Sequence, residues 1–380
     1  MREEKDRAPH IAALGFRGVP ATWGGIEHQC EEIYARLAAM GFRVTIYARS
    51  YYTPPHLQHY RGMRIVRLPT IASKHADAAV HTLLAVCHAI KEPYDIIHIY
   101  GQGPCLFSWI PRLFKPKARL FFSCTGLDWK RKKWGPWGAF FIHLGEVFSA
   151  YFPHYRIGVS LALKRYYESR YNVSMYHIPN GVSTPSISPP NSVDKFGLTP
   201  RRYFLWVGRI VPEKRVEDIL SAFTRLTSDF CLVIVGDSPD QEYVQRLKTL
   251  AGTDPRIRFL GYQFRENLEA IYSHAYAFIT ASELEGLPLT LLEAISYGLP
   301  CIVSDIPPHH EILGSVARFV FPVGDVGQLR GHMERLLGLE HGAWQNMVEQ
   351  VKARAENSFS WDVVAEEIAR LYRKALAGHR

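Results

Sequence analysis

Residues 283–300 read ELEGLPLTLLEAISYGLP, in which two carboxylates, Glu285 and Glu293, stand on either side of an uncharged, apolar helix start. The pattern predicts a helix soon after Glu285, because proline is favoured at the first helical position and Gly298 is a natural C-terminal cap. The first N–H groups of a helix have no partner within it, so the turn over 286–289 can donate hydrogen bonds to a phosphate. The alternative is a buried helix whose first-turn acid interacts only with the helix dipole.

The length and composition are those of a globular protein with two domains. At 380 residues the chain exceeds one ordinary core and suits two domains of about 150–200 residues each. No run of 18 uncharged apolar residues occurs, which predicts that no helix spans a membrane. The first ten residues, MREEKDRAPH, do not resemble a signal peptide. Six cysteines without paired spacing predict reduced thiols, a cytoplasmic protein and no structural zinc.

Positive charge is concentrated in one part of the chain. The net charge is +9, and residues 111–133 hold eight Lys or Arg against a single acid, Asp128. Such a face predicts an anionic partner, which composition alone leaves as nucleic acid, an acidic membrane surface or a phosphorylated substrate.

Short β-branched or aromatic runs alternate with helical patterns along nearly the whole chain, as in HIAALGF, DIIHIY, YFLWVG and FCLVIVGD. This alternation predicts parallel sheets with crossover helices. Residues 183–200 are rich in Ser and Pro and predict an interdomain linker. We therefore expect an α/β protein with two doubly wound, Rossmann-like domains facing each other across a cleft, over 1–182 and 201–358. A final helix in 359–380 is expected to pack back toward the first domain.

Neither domain shows the G-x-G-x-x-G fingerprint after its first strand, which argues against a nicotinamide enzyme.

A loop in the second half of the chain carries two cations close behind a strand. Ligands of such sheets bind at the carboxyl ends of the strands, so the loop VGRIVPEK is expected to meet the 283–300 helix start. Its Arg209 and Lys214 could hold a diphosphate and stabilise charge on a leaving phosphate. The alternative is a solvated loop that contains two cations.

Both segments resemble those of a known enzyme family. EGLPLTLLE, with two glutamates separated by seven residues, is similar to the arrangement in the retaining GT-B glycosyltransferases, and VGRIVPEK is similar to their donor loop. The similarity continues at IPNGV (178–182), FLGY (259–262) and FSWD (359–362). More narrowly, GFRGVPATWGGIEHQCEEIYARL, DIIHIYGQGP and TGLDWKRKKWG resemble the family 4 subgroup that builds bacterial surface polysaccharides and includes rhamnosyltransferases.

The resemblance implies a role for each donor-side residue. Arg209 and Lys214 would hold the donor diphosphate, Glu285 would face the transferred sugar, and Glu293 would accept hydrogen bonds from ribose hydroxyls. The 1–182 domain would be the acceptor side, and the 201–358 domain would bind the nucleotide sugar. Backbone that approaches phosphate or sugar would come from Gly24, Gly25, Gly286, Leu287, Pro288 and Leu289. The glycine pair also has the alternative of an ordinary turn.

The acceptor side departs from the family pattern. Many relatives place an acid or a histidine near the reacting carbon, whereas TGLDWKR begins with Thr125 and has Asp128 three residues later. His98, at the end of DIIHIY, is another candidate, although a strand-end histidine is often structural. Lys130 and Arg131 complete the candidate set. A retaining enzyme can use the leaving phosphate to deprotonate the acceptor, whereas an inverting enzyme needs a protein base, so the missing acid fits retention.

The resemblance implies transfer of a hexosyl or deoxyhexosyl group from a nucleotide-diphosphate sugar to a hydroxyl of a glycan or lipid-linked saccharide. No D-x-D pair stands at a strand end, so we expect neither metal nor cofactor, with Arg209 and Lys214 replacing a divalent ion. Two alternatives remain open: a GT-B sugar-nucleotide epimerase, and a non-catalytic glycan-binding or partner subunit. The donor motifs argue against a nucleic-acid binder.

The basic segment WKRKKW (129–134) leads into an aromatic stretch that is too short and too often interrupted to span a bilayer. Its cations can contact anionic headgroups while its Trp and Phe rings lie at the interface. This predicts a peripheral location at the inner face of the plasma membrane. The alternative is a solvated basic turn before a buried helix.

Overall fold

The computed structural model describes residues 7–71, 76–130, 135–238 and 240–378. The chain forms two compact units: the first runs to Gly181 and resumes at Trp361, and the second covers Val182–Ser360.

The first unit is built on an eight-stranded sheet whose four central strands are almost entirely buried. Its strands are β1 (His10–Leu14), β2 (Arg43–Arg49), β3 (His59–Tyr60), β4 (Met63–Leu68), β5 (Ile96–Tyr100), β6 (Arg119–Cys124), β7 (Tyr155–Gly158) and β8 (Tyr176–His177). The order is β3-β4-β2-β1-β5-β6-β7-β8, and every pair is parallel except β3 with β4. The helices are α1 (Gly25–Ala39), α2 (Asp77–Ala89), α3 (Trp109–Phe114), α4 (Pro136–Tyr151) and α5 (Leu161–Tyr171).

The second unit has a six-stranded, wholly parallel sheet. Its strands are β9 (Tyr203–Val207), β10 (Cys231–Val235), β11 (Ile257–Gly261), β12 (Ala277–Thr280), β13 (Cys301–Ser304) and β14 (Phe319–Phe321). The helices are α6 (Val216–Phe223), α7 (Gln241–Ala251), α8 (Glu266–His274), α9 (Leu289–Ser296), α10 (Pro307–Leu313), α11 (Val326–Leu337) and α12 (His341–Ser358). The order β11-β10-β9-β12-β13-β14 is that of a doubly wound sheet, whose strand order reverses between β9 and β12.

Continuous apolar strands explain these sheets. Helices cover both faces of a doubly wound sheet, so an interior strand is apolar on both sides. All five residues of β1, of β5 and of β9 are buried. The predicted fold class, α/β with two doubly wound Rossmann-like domains, is therefore confirmed.

The 183–200 segment differs from the expected linker. It lies within the second unit and contains a 3₁₀ helix, Pro190–Phe196. Val193 of that helix is fully buried, and the Ser188 N–H donates to Ser273 Oγ at 3.1 Å. Its Ser and Pro content reflects a packed turn structure, because these residues also favour turns and helix starts.

The last helix, α13 (Trp361–Ala377), belongs to the first unit and packs against α1. Its apolar face is buried, and Tyr372 is fully enclosed. The backbone of Gly181 lies so close to Trp361 that a Cβ at position 181 would be 2.6 Å from the Trp361 nitrogen. Glycine is therefore required where the chain leaves the first unit.

Candidate functional site

Two loops of the second unit meet at the point where its strand order reverses. One follows β9 and ends in the 3₁₀ turn Pro212–Lys214, and the other joins β12 to α9. The Lys214 ammonium contacts the Glu285 carboxylate, and these side chains are only 20% and 10% exposed. Burial alone would raise the pKa of Glu285, but the charge and hydrogen bond of Lys214 hold it below its usual value of 4.5. The site therefore contains an ionised pair that is largely shielded from water.

The same two loops are also joined through their backbones. The Glu283 N–H donates to the Glu213 carbonyl at 3.0 Å. Arg215, which adopts φ +49°, contacts Asp218 at 2.6 Å and Glu283 at 3.5 Å. These contacts fix the positions of both loops at the sheet edge. Arg209 precedes the turn and is exposed.

The helix start predicted in 283–300 is confirmed one position later than expected. Pro288 is extended at ψ 117° and caps α9, whose first residue is Leu289. The loop 286–289 enters the helix with Leu287 and Pro288 buried. Gly298, at φ +73°, follows the last turn as the sequence predicted.

Glu293 lies in the second turn of α9 and is half-buried. Its Oε2 accepts a hydrogen bond from Tyr272 Oη at 3.0 Å. The two glutamates thus have different protein partners, a cation for Glu285 and a phenol for Glu293.

A buried histidine lies beside the ion pair and was not found from the sequence. His309, on α10, is fully buried, and its Nδ1 donates to the Ser304 carbonyl at 2.8 Å. Burial, with the nearby Lys214 charge, lowers the pKa of His309 to about 4 against the opposing effect of Glu285. The ring is therefore neutral, and its only sequence signal is an adjacent pair of histidines on a short helix.

In the first unit, Gly24 caps α1 and Gly25 is the first residue of that helix. Gly24 adopts φ +102°, and a Cβ there would lie 2.1 Å from Glu27 Oε2. Glu27 is buried and accepts from both the backbone N–H and the guanidinium of Arg17 at 3.1 Å. The Arg17 guanidinium also lies 3.8 Å above the Trp23 ring. The turn therefore has a packing requirement for glycine at position 24.

His98 does not lie at a strand end, where the sequence placed it. The residue lies in the middle of β5, not at its end, and is completely buried. Its Nδ1 is 2.5 Å from Tyr372 Oη and its Nε2 is 2.8 Å from Ser123 Oγ, so both ring nitrogens have protein partners. Burial lowers the pKa of His98 to about 3. His98 therefore has a structural role, because its hydrogen bond with Tyr372 joins the sheet to α13.

The loop after β6 holds the remaining acceptor-side candidates. Thr125 and Asp128 are half-buried and Lys130 is exposed. The Asp128 N–H donates to Gln102 Oε1 at 3.0 Å, and Gln102 Nε2 donates to Glu146 Oε2 at 2.7 Å. Arg131 lies outside the described residues.

Glu146 is a buried carboxylate that the sequence did not mark. It lies on α4 with no exposed surface. Its Oε1 accepts from Tyr166 Oη at 2.7 Å and from Tyr171 Oη at 2.5 Å. With Gln102, these tyrosines satisfy the carboxylate and connect α4 and α5 to the loop that carries Asp128.

Comparison with known proteins identifies the family. The Glycosyltransferase Family 4 model matches residues 23–185, and the Glycosyl transferases group 1 model matches residues 191–372. The chain is a family 4 glycosyltransferase with the GT-B fold.

Two relatives of this glycosyltransferase are named as galactosyltransferases. It is 29% identical over 235 residues to the lipopolysaccharide 1,6-galactosyltransferase of Salmonella typhimurium, covering 57% of this chain and 64% of that protein. It is 34% identical over 234 residues to the UDP-Gal:α-D-GlcNAc-diphosphoundecaprenol α-1,3-galactosyltransferase of Escherichia coli, covering 57% and 59%. Neither alignment reaches two thirds of the relative's own length.

A solved structure shows the same fold over the whole chain. The sucrose-phosphate synthase of Thermosynechococcus elongatus superposes with a TM-score of 0.81 at 20% identity, covering 98% of this chain and all of that one. The order of elements in this glycosyltransferase is therefore that of the GT-B fold from end to end.

The structure brings together most of the donor-side residues predicted in the second unit. One sheet edge holds Lys214, Glu285 and the 286–289 turn. The helix that follows this turn, α9, carries Glu293. In the described ranges, no group of three or more His, Cys, Asp or Glu side chains could hold a metal ion. Over the same ranges, every helix is too short or too polar to cross a bilayer.

Proposed function

We propose that this glycosyltransferase moves a hexosyl or deoxyhexosyl group from a nucleotide-diphosphate sugar to a hydroxyl of a glycan or lipid-linked saccharide in bacterial polysaccharide synthesis. The observation that carries the proposal is the shielded Lys214–Glu285 pair at the start of α9. Lys214 can form an ion pair with the donor diphosphate, and the adjacent Glu285 carboxylate can accept hydrogen bonds from the transferred sugar. The names of the galactosyltransferase relatives support the same class of donor and acceptor.

The transfer proceeds with retention and without a metal ion. The bond between the anomeric carbon and the diphosphate oxygen breaks, and its electron pair leaves with the diphosphate. The acceptor oxygen bonds to the anomeric carbon on the same face, and its proton passes to the leaving phosphate. Arg209 and Lys214 stabilise the charge that develops on the diphosphate. No protein base is required, which agrees with Thr125 at the position where relatives place an acid or histidine.

Glu285 and Glu293 have separate tasks. Glu285 is anionic at neutral pH, because Lys214 holds its pKa low, and it accepts hydrogen bonds from hydroxyls of the transferred sugar. Glu293 accepts hydrogen bonds from the ribose. The loop over 286–289 donates backbone N–H groups to phosphate at the positive end of the α9 dipole.

The protein acts in the cytoplasm, bound peripherally to an anionic membrane surface. On α4, one face contains the buried Ile142 and Glu146, whereas Trp137, Phe140 and Phe141 on the other face are 78%, 56% and 51% exposed. This arrangement differs from the alternative of a wholly buried helix. Exposed aromatic rings on a helix that follows a basic segment in the sequence fit a headgroup interface.

A donor screen tests the proposed function. Thermal shifts with UDP-, GDP-, ADP- and dTDP-sugars identify the donor, and mass analysis of lipid-linked acceptors after incubation identifies the product. We expect the acceptor to gain one sugar residue. Conversion of the sugar nucleotide into its epimer without acceptor would instead favour the epimerase, and tight nucleotide binding without turnover would favour the non-catalytic subunit.

A further inference from the structure

Tyr272 is the protein partner of the carboxylate assigned to the ribose. It lies on α8 and is 1% exposed. Its Oη is 3.0 Å from Glu293 Oε2 and 3.2 Å from the Thr290 carbonyl oxygen, in the first turn of α9. One hydroxyl proton therefore serves a side chain and a backbone acceptor of the same helix.

The ring of Tyr272 packs against two other aromatic rings. It stacks on Tyr297 with a centroid distance of 5.4 Å and an interplanar angle of 10°. It also lies 6.3 Å from Phe278 of β12, at 28°. The Tyr297 hydroxyl in turn donates to the Ser186 carbonyl at 3.3 Å. Closely packed aromatic neighbours leave the phenol few alternative positions.

The hydroxyl is a permanent donor. Burial and then the Glu293 charge raise the pKa of Tyr272 well above its ordinary value. The phenol therefore keeps its proton at neutral pH and donates it to the carboxylate. A hydrogen bond to a charged acceptor is about twice as strong as one between neutral groups.

We propose that Tyr272 is a positioning residue that orients the Glu293 carboxylate toward the ribose of a bound nucleoside diphosphate. The hydrogen bond from the phenol to Oε2 limits rotation of the carboxylate and so favours the orientation in which it accepts hydrogen bonds from the ribose hydroxyls. This inference rests on the proposed function. It adds to that function, because discrimination between ribose and deoxyribose would then depend on Tyr272, which does not itself contact the nucleotide.

The test compares nucleotides with and without ribose hydroxyls in Tyr272→Phe, which removes one oxygen atom from a packed ring. The probes are UDP, GDP and ADP with their 2′,3′-dideoxy forms, and dTDP with its 3′-deoxy form, measured by calorimetry. We expect the wild type to prefer the hydroxylated form of the nucleotide it binds. In Tyr272→Phe, affinity for that form should fall about tenfold while affinity for the deoxy form stays unchanged.

Tyr243→Phe is the matched control. Tyr243 lies in the same unit, is 6% exposed, and donates from Oη to Glu217 Oε2 at 2.5 Å. It has the same chemistry as Tyr272 at a carboxylate with no proposed ligand. The ratio of the two affinities should therefore be unchanged in Tyr243→Phe.

The possible outcomes separate this inference from the proposed function. A wild type that binds none of the four nucleoside diphosphates overturns both. The inference alone is overturned if the wild type binds without discriminating, if Tyr272→Phe discriminates as well as the wild type, or if the variant binds both forms equally more weakly. The last result would show a general packing role for the phenol.

Discussion

Lys214 and Glu285 form an ion pair across 71 positions of the sequence, joining the loop after β9 to the loop before α9. Because both side chains are largely buried, removing either partner leaves the other as an uncompensated charge. The effects of the two residues on the reaction are therefore coupled.

A double-mutant cycle tests this coupling. Each of the variants Lys214→Ala and Glu285→Gln should lower kcat/KM by about 10²-fold or more, since each removes a preorganised charge from the proposed donor site. The double variant should lose less than the product of the two single effects, because each single variant already breaks the pair. Steady-state kinetics at saturating acceptor measures all four proteins.

Lys195→Ala is the control for this cycle. Lys195 is an exposed lysine of the same unit whose Nζ contacts Asn267 Oδ1. Its kinetics should match those of the wild type. Strictly multiplicative effects of Lys214→Ala and Glu285→Gln would contradict the coupling, and wild-type activity of Lys214→Ala would remove the residue from the donor site.

The two carboxylates should separate binding from transfer. Glu293→Gln should mainly weaken binding of the free nucleoside diphosphate, because the proposed ligand group of Glu293 is the ribose. Glu285→Gln should mainly lower kcat, because the proposed ligand group of Glu285 is the transferred sugar. Calorimetry with the nucleoside diphosphate and single-turnover kinetics distinguish the two. If only Glu285→Gln abolished nucleotide affinity, the assignments would have to be exchanged.

The donor side could be predicted from sequence because its signals are local. A strand followed by a basic loop, and an acid followed by a helix start, each occupy only a short run of consecutive residues. In a doubly wound sheet, loops that follow neighbouring strands meet at the same edge. β9 and β12 are neighbours, so the loops carrying Lys214 and Glu285 come together.

The acceptor side could not be read in the same way, since its polar residues are defined by distant partners. His98 looked like a strand-end ligand, yet its Nδ1 partner is Tyr372, which follows 274 positions later. Glu146 lies in an apolar aromatic stretch, and its partners Gln102, Tyr166 and Tyr171 come from two other parts of the chain. A buried polar group requires partners, but the sequence does not indicate which residues supply them.

A substitution at the first-unit turn tests the requirement for glycine there. In Gly24→Ala, the new methyl group meets Glu27 Oε2 and the backbone keeps φ +102°. The Glu27 carboxylate must then shift, which weakens its contacts with Arg17. We expect a loss of about 2–3 kcal/mol in the free energy of unfolding, measured by urea denaturation.

Gly41→Ala isolates the backbone contribution to that loss. Gly41 has φ +91°, and a methyl group added there would meet nothing within 4 Å. The substitution should cost only about 1–2 kcal/mol, as expected for a left-handed residue alone. Equal losses in Gly24→Ala and Gly41→Ala would show that the Glu27 contact contributes nothing.

The buried His98 should make stability depend on pH. Its pKa in the folded protein is about 3, against an ordinary value of 6.5. As pH falls below 6.5, the unfolded chain takes up this proton first, so stability is lost between pH 6.5 and about 3. The slope from one such group is about 1.4 kcal/mol per pH unit.

Urea denaturation at several pH values measures that slope. His98→Gln removes the titrating ring, so its stability should fall less steeply with decreasing pH than that of the wild type. His56→Gln, at an exposed position, is the control and should keep the wild-type slope. A His98→Gln slope equal to that of the wild type would contradict a neutral, buried imidazole.

The surface of α4 should bind acidic liposomes, and charge and aromatic contact can be tested separately. Replacing Lys130, Arg131, Lys132 and Lys133 by Gln should release the protein at low salt, because each basic residue contributes about 1 kcal/mol near an anionic surface.

The double variant Phe140→Ser, Phe141→Ser should weaken liposome binding at low and high salt alike, since apolar burial at the interface does not depend on ionic strength. Both residues are more than half exposed, so these changes leave the core intact. Cosedimentation with phosphatidylserine-containing and purely zwitterionic liposomes measures both effects. If the wild-type protein did not bind acidic liposomes even at low salt, we would instead expect the basic face to bind a phosphorylated acceptor in solution.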